Sequence, residues 1–220
     1  MEFTYAVPTK VIFGPGTLSQ LATVPLPGKR ALLCCTPGER KRHLERVQAL
    51  LRQNGVETVL YAAVQPNPTD ALVRTAAALG RHNGVDFVIG LGGGSSIDCA
   101  KAVGARVARP LQSLQKMEGV LRAHCTLPPT VAIPTTAGTG SEITLAAVIT
   151  DSTTHHKYAI MDFCLIPRYV IHDPELTRSL PQSLTATTAL DALTHAIEAY
   201  ISRTASRASP RVSRVVDRPI

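Results

Sequence analysis

A run of glycines between an apolar stretch and a helical pattern carries the strongest chemical signal in the sequence. The residues that follow the apolar stretch 85–91 are Gly92, Gly93, Gly94 and Ser95. Glycines let the backbone approach a ligand closely, and the N–H groups at the start of the next helix attract an anion such as a pyrophosphate. Asp98, in the first turn of that helix, would stabilise the helix dipole. Because the spacing matches neither GxGxxG nor a P-loop, a tight turn without a ligand stays open as an alternative.

A second loop, at residues 133–142, offers four hydroxyl groups among small residues. Thr135 and Thr136 come soon after a short apolar run that predicts a strand. Hydroxyls beside glycines can hydrogen-bond the ribose or phosphate oxygens of a nucleotide. A polar surface turn has the same composition, so this loop alone allows both interpretations.

Asp191 and His195 form the third candidate site. They are four residues apart in a stretch with helical periodicity, so their side chains share one helix face. A carboxylate oxygen and an imidazole nitrogen can chelate one divalent cation, and this mixed donor set suits iron, zinc or manganese. A salt-linked or capping Asp–His pair has the same spacing, so the pair predicts a metal site only together with further evidence.

Composition and charge argue against several classes of protein. The 220 residues are 45% hydrophobic, which is too apolar for a disordered chain and typical of a globular one. The net charge is +7, but five arginines and one aspartate lie in residues 201–220. The other 200 residues hold 18 basic and 15 acidic groups and are nearly balanced. Because the basic tail has no aromatic residue, we expect no nucleic-acid partner.

The same inspection predicts a cytoplasmic protein without a membrane anchor. No apolar run approaches the length of a membrane span, and the first ten residues lack the apolar core of a signal peptide. The five cysteines are scattered and none forms a CxxC pair. They predict reduced thiols rather than a disulfide framework or a zinc site.

Alternating apolar runs and amphipathic stretches predict an open, parallel α/β sheet. Strands are expected at 10–13, 30–35, 56–61, 85–91, 130–133, 143–149 and 168–172. Helices are expected at 40–54, 70–82, 95–107 and 182–202. The stretch 110–129 contains three prolines and no periodicity, so a long connection is expected there.

Taken in order along the chain, these motifs resemble the iron-containing (group III) alcohol dehydrogenase family. The resemblance covers about residues 5–200. It rests on five segments: Lys10–Gly16, Pro66–Thr69, Gly92–Lys101, Pro134–Glu142 and Asp173–Glu198. The last segment is the most specific, because it joins Asp173, Pro181, Asp191, Leu193 and Glu198 at the family's signature spacing. Each motif is modest evidence by itself, and the ordered set is strong.

The resemblance implies a dehydroquinate synthase-like architecture with the active site between two domains. Residues 1–180 would form a Rossmann-like α/β dinucleotide-binding domain with a parallel sheet. Residues 181–202 would be the first helix of an otherwise missing all-helical, metal-binding domain. Residues 203–220 resemble an aberrant, out-of-frame or truncated terminus, so we expect this form to be inactive or weakly active. The helix at 182–202 should then expose apolar residues such as Leu190, Leu193 and Ile197.

The resemblance also implies the roles of individual residues. Gly92–Ser95 would hold the pyrophosphate of NAD or NADP. Further cofactor contacts would come from Thr36, Asn67, Asp98, Thr135, Thr136, Thr144 and Lys157. Asp191 and His195 would be two of four ligands of a divalent metal, usually iron, with zinc as the alternative. The substrate would be a small primary alcohol or aldehyde, and the intact enzyme a homo-oligomer.

The end of the second strand departs from the family pattern. The family often has an aspartate there, whose carboxylate binds the adenosine ribose and repels a 2′-phosphate. Thr36 stands at the matching position, so little preference between NAD and NADP is expected. The opening segment and Thr36–Gly38 are also similar to maleylacetate reductases of the same superfamily. Maleylacetate reduction and a non-catalytic nucleotide-binding remnant therefore remain as alternative functions.

Overall fold

A computed structural model describes residues 8–123 and 126–202. Its strands are β1 (Lys10–Phe13), β2 (Arg30–Cys35), β3 (Glu57–Tyr61), β4 (Phe87–Gly92), β5 (Gly119–Val120), β6 (Thr130–Pro134), β7 (Ala146–Thr150), β8 (Lys157–Met161) and β9 (Tyr169–His172). Its α-helices are α1 (Pro37–Arg42), α2 (Leu44–Gln53), α3 (Asp70–His82), α4 (Gly94–Ala108) and α5 (Gln182–Ile201). Short 3-10 helices lie at Thr17–Ala22, Leu114–Met117, Phe163–Leu165 and Pro174–Thr177.

Six strands form a parallel sheet in the order β1-β9-β6-β4-β2-β3, which confirms the predicted α/β class. All of β4 and all but the first residue of β2 are buried, as expected for parallel strands covered on both faces. The chain passes from β2 to β3 on one side and returns to β4 on the other. Ligands of open α/β sheets bind beyond the carboxyl ends of the strands at such a switch point. The crevice between the ends of β2 and β4 is therefore where a ligand is expected.

Three details differ from the sequence prediction. The predicted helix 40–54 is two helices, because Thr36 caps a helix that starts earlier and the backbone leaves helical geometry at His43. The predicted strand 143–149 forms β7, which pairs antiparallel with β8 outside the main sheet. The connection 110–129 includes β5, which completes this small three-stranded sheet.

Helix α4 lies between the two sheets and is the most enclosed helix in the described part of the chain. Its residues 96–105 are all buried, including the polar Ser96, Asp98 and Lys101, and it contacts both β4 and β7. Gly90 in β4 allows this close packing, because a Cβ there would lie 3.0 Å from Ile97 Cα. The polar side chains of helix α4 therefore lie buried between the main sheet and the small sheet.

Helix α5 is the opposite case, because none of its residues is buried. Its large apolar side chains are 44–69% exposed: Leu184, Leu190, Leu193, Ile197, Tyr200 and Ile201. The exposed apolar face predicted for this helix is thus confirmed. The helix approaches the 133–142 loop at Gly138, where a Cβ would lie 2.3 Å from the Thr188 carbonyl oxygen and 3.2 Å from Ala192 Cβ.

Within the described residues, every helix is too short or too polar to cross a membrane.

Candidate functional site

The turn from β4 into α4 is built from glycines because larger residues would collide with its surroundings. Gly92 has a left-handed φ of 137°, and a Cβ there would lie 2.5 Å from Ser96 Oγ. A Cβ on Gly93 would lie 3.1 Å from Thr136 Oγ1, and one on Gly94 would lie 3.1 Å from a hydroxyl of the same loop. The structure therefore brings together the glycine run and the 133–142 loop that the sequence singled out separately.

Buried polar atoms without a hydrogen-bond partner surround this turn. Among the described residues they include Ser96 Oγ, Thr136 Oγ1 and Glu39 Oε2. An unpaired buried polar atom costs about 1–3 kcal/mol, so a phosphate that reached the two hydroxyls would be bound favourably, whereas Glu39 Oε2 is an acceptor and offers a phosphate no hydrogen bond. No side chain caps α4, whose first two residues are Gly94 and Ser95, so the start of the helix can bind a phosphate. The turn fits the pyrophosphate of a dinucleotide.

Thr135 is oriented differently from its neighbour Thr136. Its side chain is fully buried, and Oγ1 donates a hydrogen bond of 2.9 Å to Glu39 Oε1. Its backbone N–H donates to the Gly92 carbonyl oxygen at 3.1 Å. Thr135 thus ties the loop to the glycine turn and to α1. Its contacts are to protein groups, and its direct contact with a cofactor stays a prediction.

Thr36 lies at the switch point and caps α1. Its Oγ1 accepts a hydrogen bond of 3.3 Å from Glu39 N, and Pro37 occupies the first helical position. In a capping box the glutamate turns back to the cap residue. Here the Glu39 carboxylate is buried and accepts hydrogen bonds from Thr135 and Arg42 instead. Sequence reasoning missed Glu39, although the Thr-x-x-Glu spacing was a signal for a helix start at this point.

Asn67 and Lys157 are brought together from positions 90 residues apart. Lys157 Nζ donates a hydrogen bond of 2.7 Å to Asn67 Oδ1, and Asn67 has a left-handed φ of 54°. Both residues are exposed, so their polar groups are open to a ligand. The resemblance assigned both to the cofactor site, and their proximity is consistent with one shared contact region.

A buried ionic cluster lies next to the glycine turn. Lys101 Nζ donates to the Thr144 carbonyl oxygen at 2.7 Å, to Thr144 Oγ1 at 3.2 Å and to the Ala146 carbonyl oxygen at 2.9 Å. Burial lowers the pKa of Lys101 to about 8, against the opposing charges of Asp98 and Glu142. Sequence reasoning missed Lys101, which holds the backbone that leads into β7.

Asp98 belongs to the same cluster, since its Oδ2 accepts a hydrogen bond of 3.2 Å from Val148 N. Burial raises the pKa of Asp98 above its ordinary value. Asp98 and Thr144 were both predicted to contact the cofactor. In the structure their polar atoms contact protein groups that position the small sheet, so direct cofactor contact by either stays a prediction.

Glu142 closes the 133–142 loop and is paired with His172 at the end of β9. His172 Nε2 and Glu142 Oε1 are 2.9 Å apart. Burial alone would raise the pKa of Glu142, but the hydrogen bond from His172 and the charges of His172 and Lys101 lower it below its usual range. The pair fixes the far end of the loop against the main sheet.

Asp191 and His195 share one face of α5, as predicted. Asp191 Oδ1 and His195 Nε2 are 3.8 Å apart, and the side chains are 46% and 52% exposed. Two donors that each lie about 2.0–2.2 Å from one ion can be at most about 4.4 Å apart, so the separation fits two ligands of a single metal. Residues 8–123 and 126–202 hold no group of three or more His, Cys, Asp or Glu placed for a metal. The pair can therefore provide part of a metal site.

The sequence profile described as iron-containing alcohol dehydrogenase matches residues 8–174. The chain belongs to the iron-containing alcohol dehydrogenase family. This match includes the glycine turn and the 133–142 loop, and it confirms the resemblance drawn from the motifs.

Individual members of the iron-containing alcohol dehydrogenase family match the chain beyond residue 174. It is 40% identical over 205 residues to alcohol dehydrogenase 4 of Schizosaccharomyces pombe, covering 92% of this chain and 48% of that protein. It is 38% identical over 210 residues to NADPH-dependent butanol dehydrogenase of Clostridium saccharobutylicum, covering 92% and 52%. The crystal structure of a 1,3-propanediol oxidoreductase is similar with a TM-score of 0.90 at 38% identity, covering 97% and 56%. The Rossmann-like fold is thereby confirmed, and the chain spans about half the length of these relatives.

Proposed function

We propose that the chain is the cofactor-binding part of a metal-dependent NAD(P) alcohol dehydrogenase. The enzyme would transfer a hydride between a small primary alcohol or aldehyde and nicotinamide. The observation that carries this proposal is the β4–α4 turn at the switch point, where Ser96 and Thr136 keep unpartnered buried hydroxyls around three glycines. Membership of the alcohol dehydrogenase family supports the reaction class.

In this proposal residues 1–180 bind the dinucleotide. The backbone at Gly93–Ser95 binds the pyrophosphate, because the start of α4 is uncapped and glycines allow close approach. The hydroxyls of Ser96 and Thr136 complete that contact. The exposed Asn67–Lys157 pair binds a second polar part of the cofactor. The protein's task is to orient the nicotinamide, since the hydride chemistry belongs to the cofactor.

Residues 181–202 begin the metal-binding part in this proposal. Asp191 and His195 would hold two coordination positions of iron or zinc, and such an ion supplies a Lewis acid for the substrate oxygen. The contact of α5 at Gly138 brings the helix against the loop that packs on the glycine turn. A catalytic metal needs three or more protein ligands, so further ligands must come from outside the described residues.

We also propose that the 220-residue chain binds nucleotide without appreciable turnover. The described residues hold no group of three metal-ligating side chains, and α5 has no buried residue. A two-ligand site would bind metal weakly.

Nucleotide titration of the Gly93→Val variant tests the first proposal. A branched side chain where the phosphate must approach should lower NADH and NADPH affinity at least tenfold, about 1.4 kcal/mol. The control variant is Gly104→Ala in the same helix, whose new methyl would meet only ordinary contacts, the nearest 3.4 Å away. Unchanged affinity for NADH and NADPH in a folded Gly93→Val protein would show that this turn does not bind the pyrophosphate.

Metal titration tests the second proposal. Ferrous iron or zinc is added to the purified chain with NAD or NADP and a short primary alcohol, and formation of NADH or NADPH is followed. The expected result is weak metal binding that disappears in His195→Ala, without turnover. Metal-dependent turnover would show that this chain suffices for catalysis and would contradict the proposal.

A further inference from the structure

Arg42 lies near the switch point at the end of α1. It brings a positive charge to this part of the proposed cofactor site. Gly38 is exposed, and a Cβ there would lie 3.7 Å from Thr36 Oγ1 and 3.9 Å from Arg42 Nη2. The missing side chain of Gly38 thus leaves a small opening with a hydroxyl on one side and a guanidinium on the other. The opening faces solvent beyond the end of β2.

Glu39 holds Arg42 in this position. Arg42 Nη2 donates to Glu39 Oε1, the same oxygen that accepts the hydrogen bond from Thr135 Oγ1. The Glu39 side chain is 3% exposed, whereas the Arg42 side chain is 30% exposed. One side of the guanidinium is therefore anchored on protein, and the rest of its planar set of donors can meet a ligand.

The charge at the end of β2 favours an anion. The only carboxylate of α1, Glu39, is buried and paired, and the last turn of the helix carries Arg40, Lys41 and Arg42. A carboxylate at the end of the second strand favours the 2′-hydroxyl of NAD, whereas a nearby arginine accommodates the 2′-phosphate of NADP. Thr36 provides no such carboxylate, and Arg42 is the nearby arginine.

We infer that Arg42 binds the 2′-phosphate of NADP above Gly38 and that the chain therefore prefers NADP to NAD. This inference rests on the proposed nucleotide-binding function, which places the adenosine ribose at the end of β2. It goes beyond the expectation from Thr36 alone, which was little preference. Thr36 Oγ1 flanks the phosphate on the other side, and Glu39 acts as a positioning residue for Arg42.

Calorimetric titration of the full 220-residue chain with NADPH and NADH tests the inference. The wild-type chain should bind NADPH at least about tenfold more tightly than NADH. Arg42→Gln should lower NADPH affinity by about tenfold and leave NADH affinity within about twofold. Lys41→Gln is the matched control, since it removes one exposed positive charge from the same turn. It should leave the ratio of the two affinities within about twofold, because only screened long-range charge is lost.

The outcomes separate this inference from the proposed function. Equal binding of the two nucleotides, or an equal loss of both in Arg42→Gln, would overturn the inference and leave the nucleotide site standing. Binding of neither nucleotide to the folded wild-type chain would overturn both. As a second variant, Glu39→Gln keeps the shape of the anchor and removes its charge. It should lower NADPH affinity more than NADH affinity, because the loss of the Arg42 anchor adds to whatever change at the Thr135 contact both nucleotides share, and an equal effect on both would contradict the positioning role.

Discussion

The β4–α4 region and helix α5 place their candidate binding groups in opposite environments. Around the glycine turn, strands and helix are buried, and polar groups such as Ser96, Lys101 and Thr135 are held inside the protein. On α5 no residue is buried, and Asp191 and His195 are about half exposed. The first region is organised by its own packing, whereas the second approaches the 133–142 loop at Gly138.

Under the proposed function, the two regions would contribute to one active site while depending on different parts of the chain. The proposed pyrophosphate contacts at the start of α4 are in place once the sheet has formed, because those N–H groups belong to the backbone and are fixed by the fold. A metal site made from side chains on one helix face is complete only when other elements bring further ligands. The following variants test this contrast, from the largest expected effect to the smallest.

Replacing the buried cation at the centre of the first region should have the largest effect. Lys101→Met keeps a similar length but leaves the buried Asp98 without its counter-charge and Glu142 with His172 as its remaining partner. The free energy of unfolding should fall by about 3–5 kcal/mol, as when one partner of a buried ionic group is removed. Urea unfolding measures the loss, with the exposed Lys41→Met as control. A loss below about 1 kcal/mol would show that the cluster is not a structural centre.

A methyl group at Gly138, where the 133–142 loop meets α5, should move the helix away from the loop. Gly138 has a φ of 120°, and a Cβ there would lie 2.3 Å from the Thr188 carbonyl oxygen, so Gly138→Ala must displace α5. We expect a stability loss of about 2–3 kcal/mol and faster proteolysis within α5. Gly140→Ala is the matched control, because its φ is 64° but its Cβ would meet nothing within 4 Å. Equal proteolysis of both variants would mean that Gly138 does not hold the helix.

The Glu142–His172 pair, in which Glu142 is buried and His172 is partly exposed, predicts a pH-dependent effect. The folded pKa of Glu142 lies below its ordinary value, so the pair stabilises the protein above about pH 4.3 and this contribution is lost as the pH falls through the folded pKa. His172→Leu should cost about 1–3 kcal/mol at pH 7, and the difference from wild type should shrink below about pH 4. Urea unfolding at both pH values measures it.

An exposed pair gives the control for that experiment. His156 Nε2 and Glu118 Oε1 are 3.3 Å apart, but the side chains are 61% and 47% exposed. His156→Leu should change stability by less than about 0.5 kcal/mol at either pH, because solvent screens the pair. A pH-independent cost of His172→Leu would instead point to packing as the source of the stabilisation.

The smallest effect is expected on α5 itself. The exposed apolar face of α5 predicts self-association of the chain. Leu190 is 63% exposed, so Leu190→Ala should change the free energy of unfolding by less than about 0.5 kcal/mol and should weaken that association. Leu33→Ala in the fully buried β2 should cost about 2–5 kcal/mol. A large loss from Leu190→Ala would contradict the contrast between the two regions. Thermal melting and analytical ultracentrifugation distinguish these outcomes.

The sequence alone was enough to predict the elements that are stabilised by local contacts or by burial of a continuous apolar run. Strand β2 was predicted with its observed bounds, and β4 within two residues, because continuous apolar runs can only be buried. The glycine turn was predicted because its backbone conformation requires glycine, and the glycines can be read directly from the sequence. The i, i+4 spacing placed Asp191 and His195 on one face, since helix geometry fixes that relation without any tertiary contact.

Only the tertiary structure decided which distant polar groups meet. The sequence gives no sign that Glu39 reaches Thr135, 96 residues away, or that Lys101 reaches the carbonyls before β7. It also left β8 unassigned, although residues 158–161 are a short apolar run, because the strand forms by antiparallel pairing with β7 in a second sheet that the sequence pattern did not indicate. Such contacts depend on sheet order and on how closely α4 packs. Local propensity carries no information about either, because both are set by the burial of the whole core.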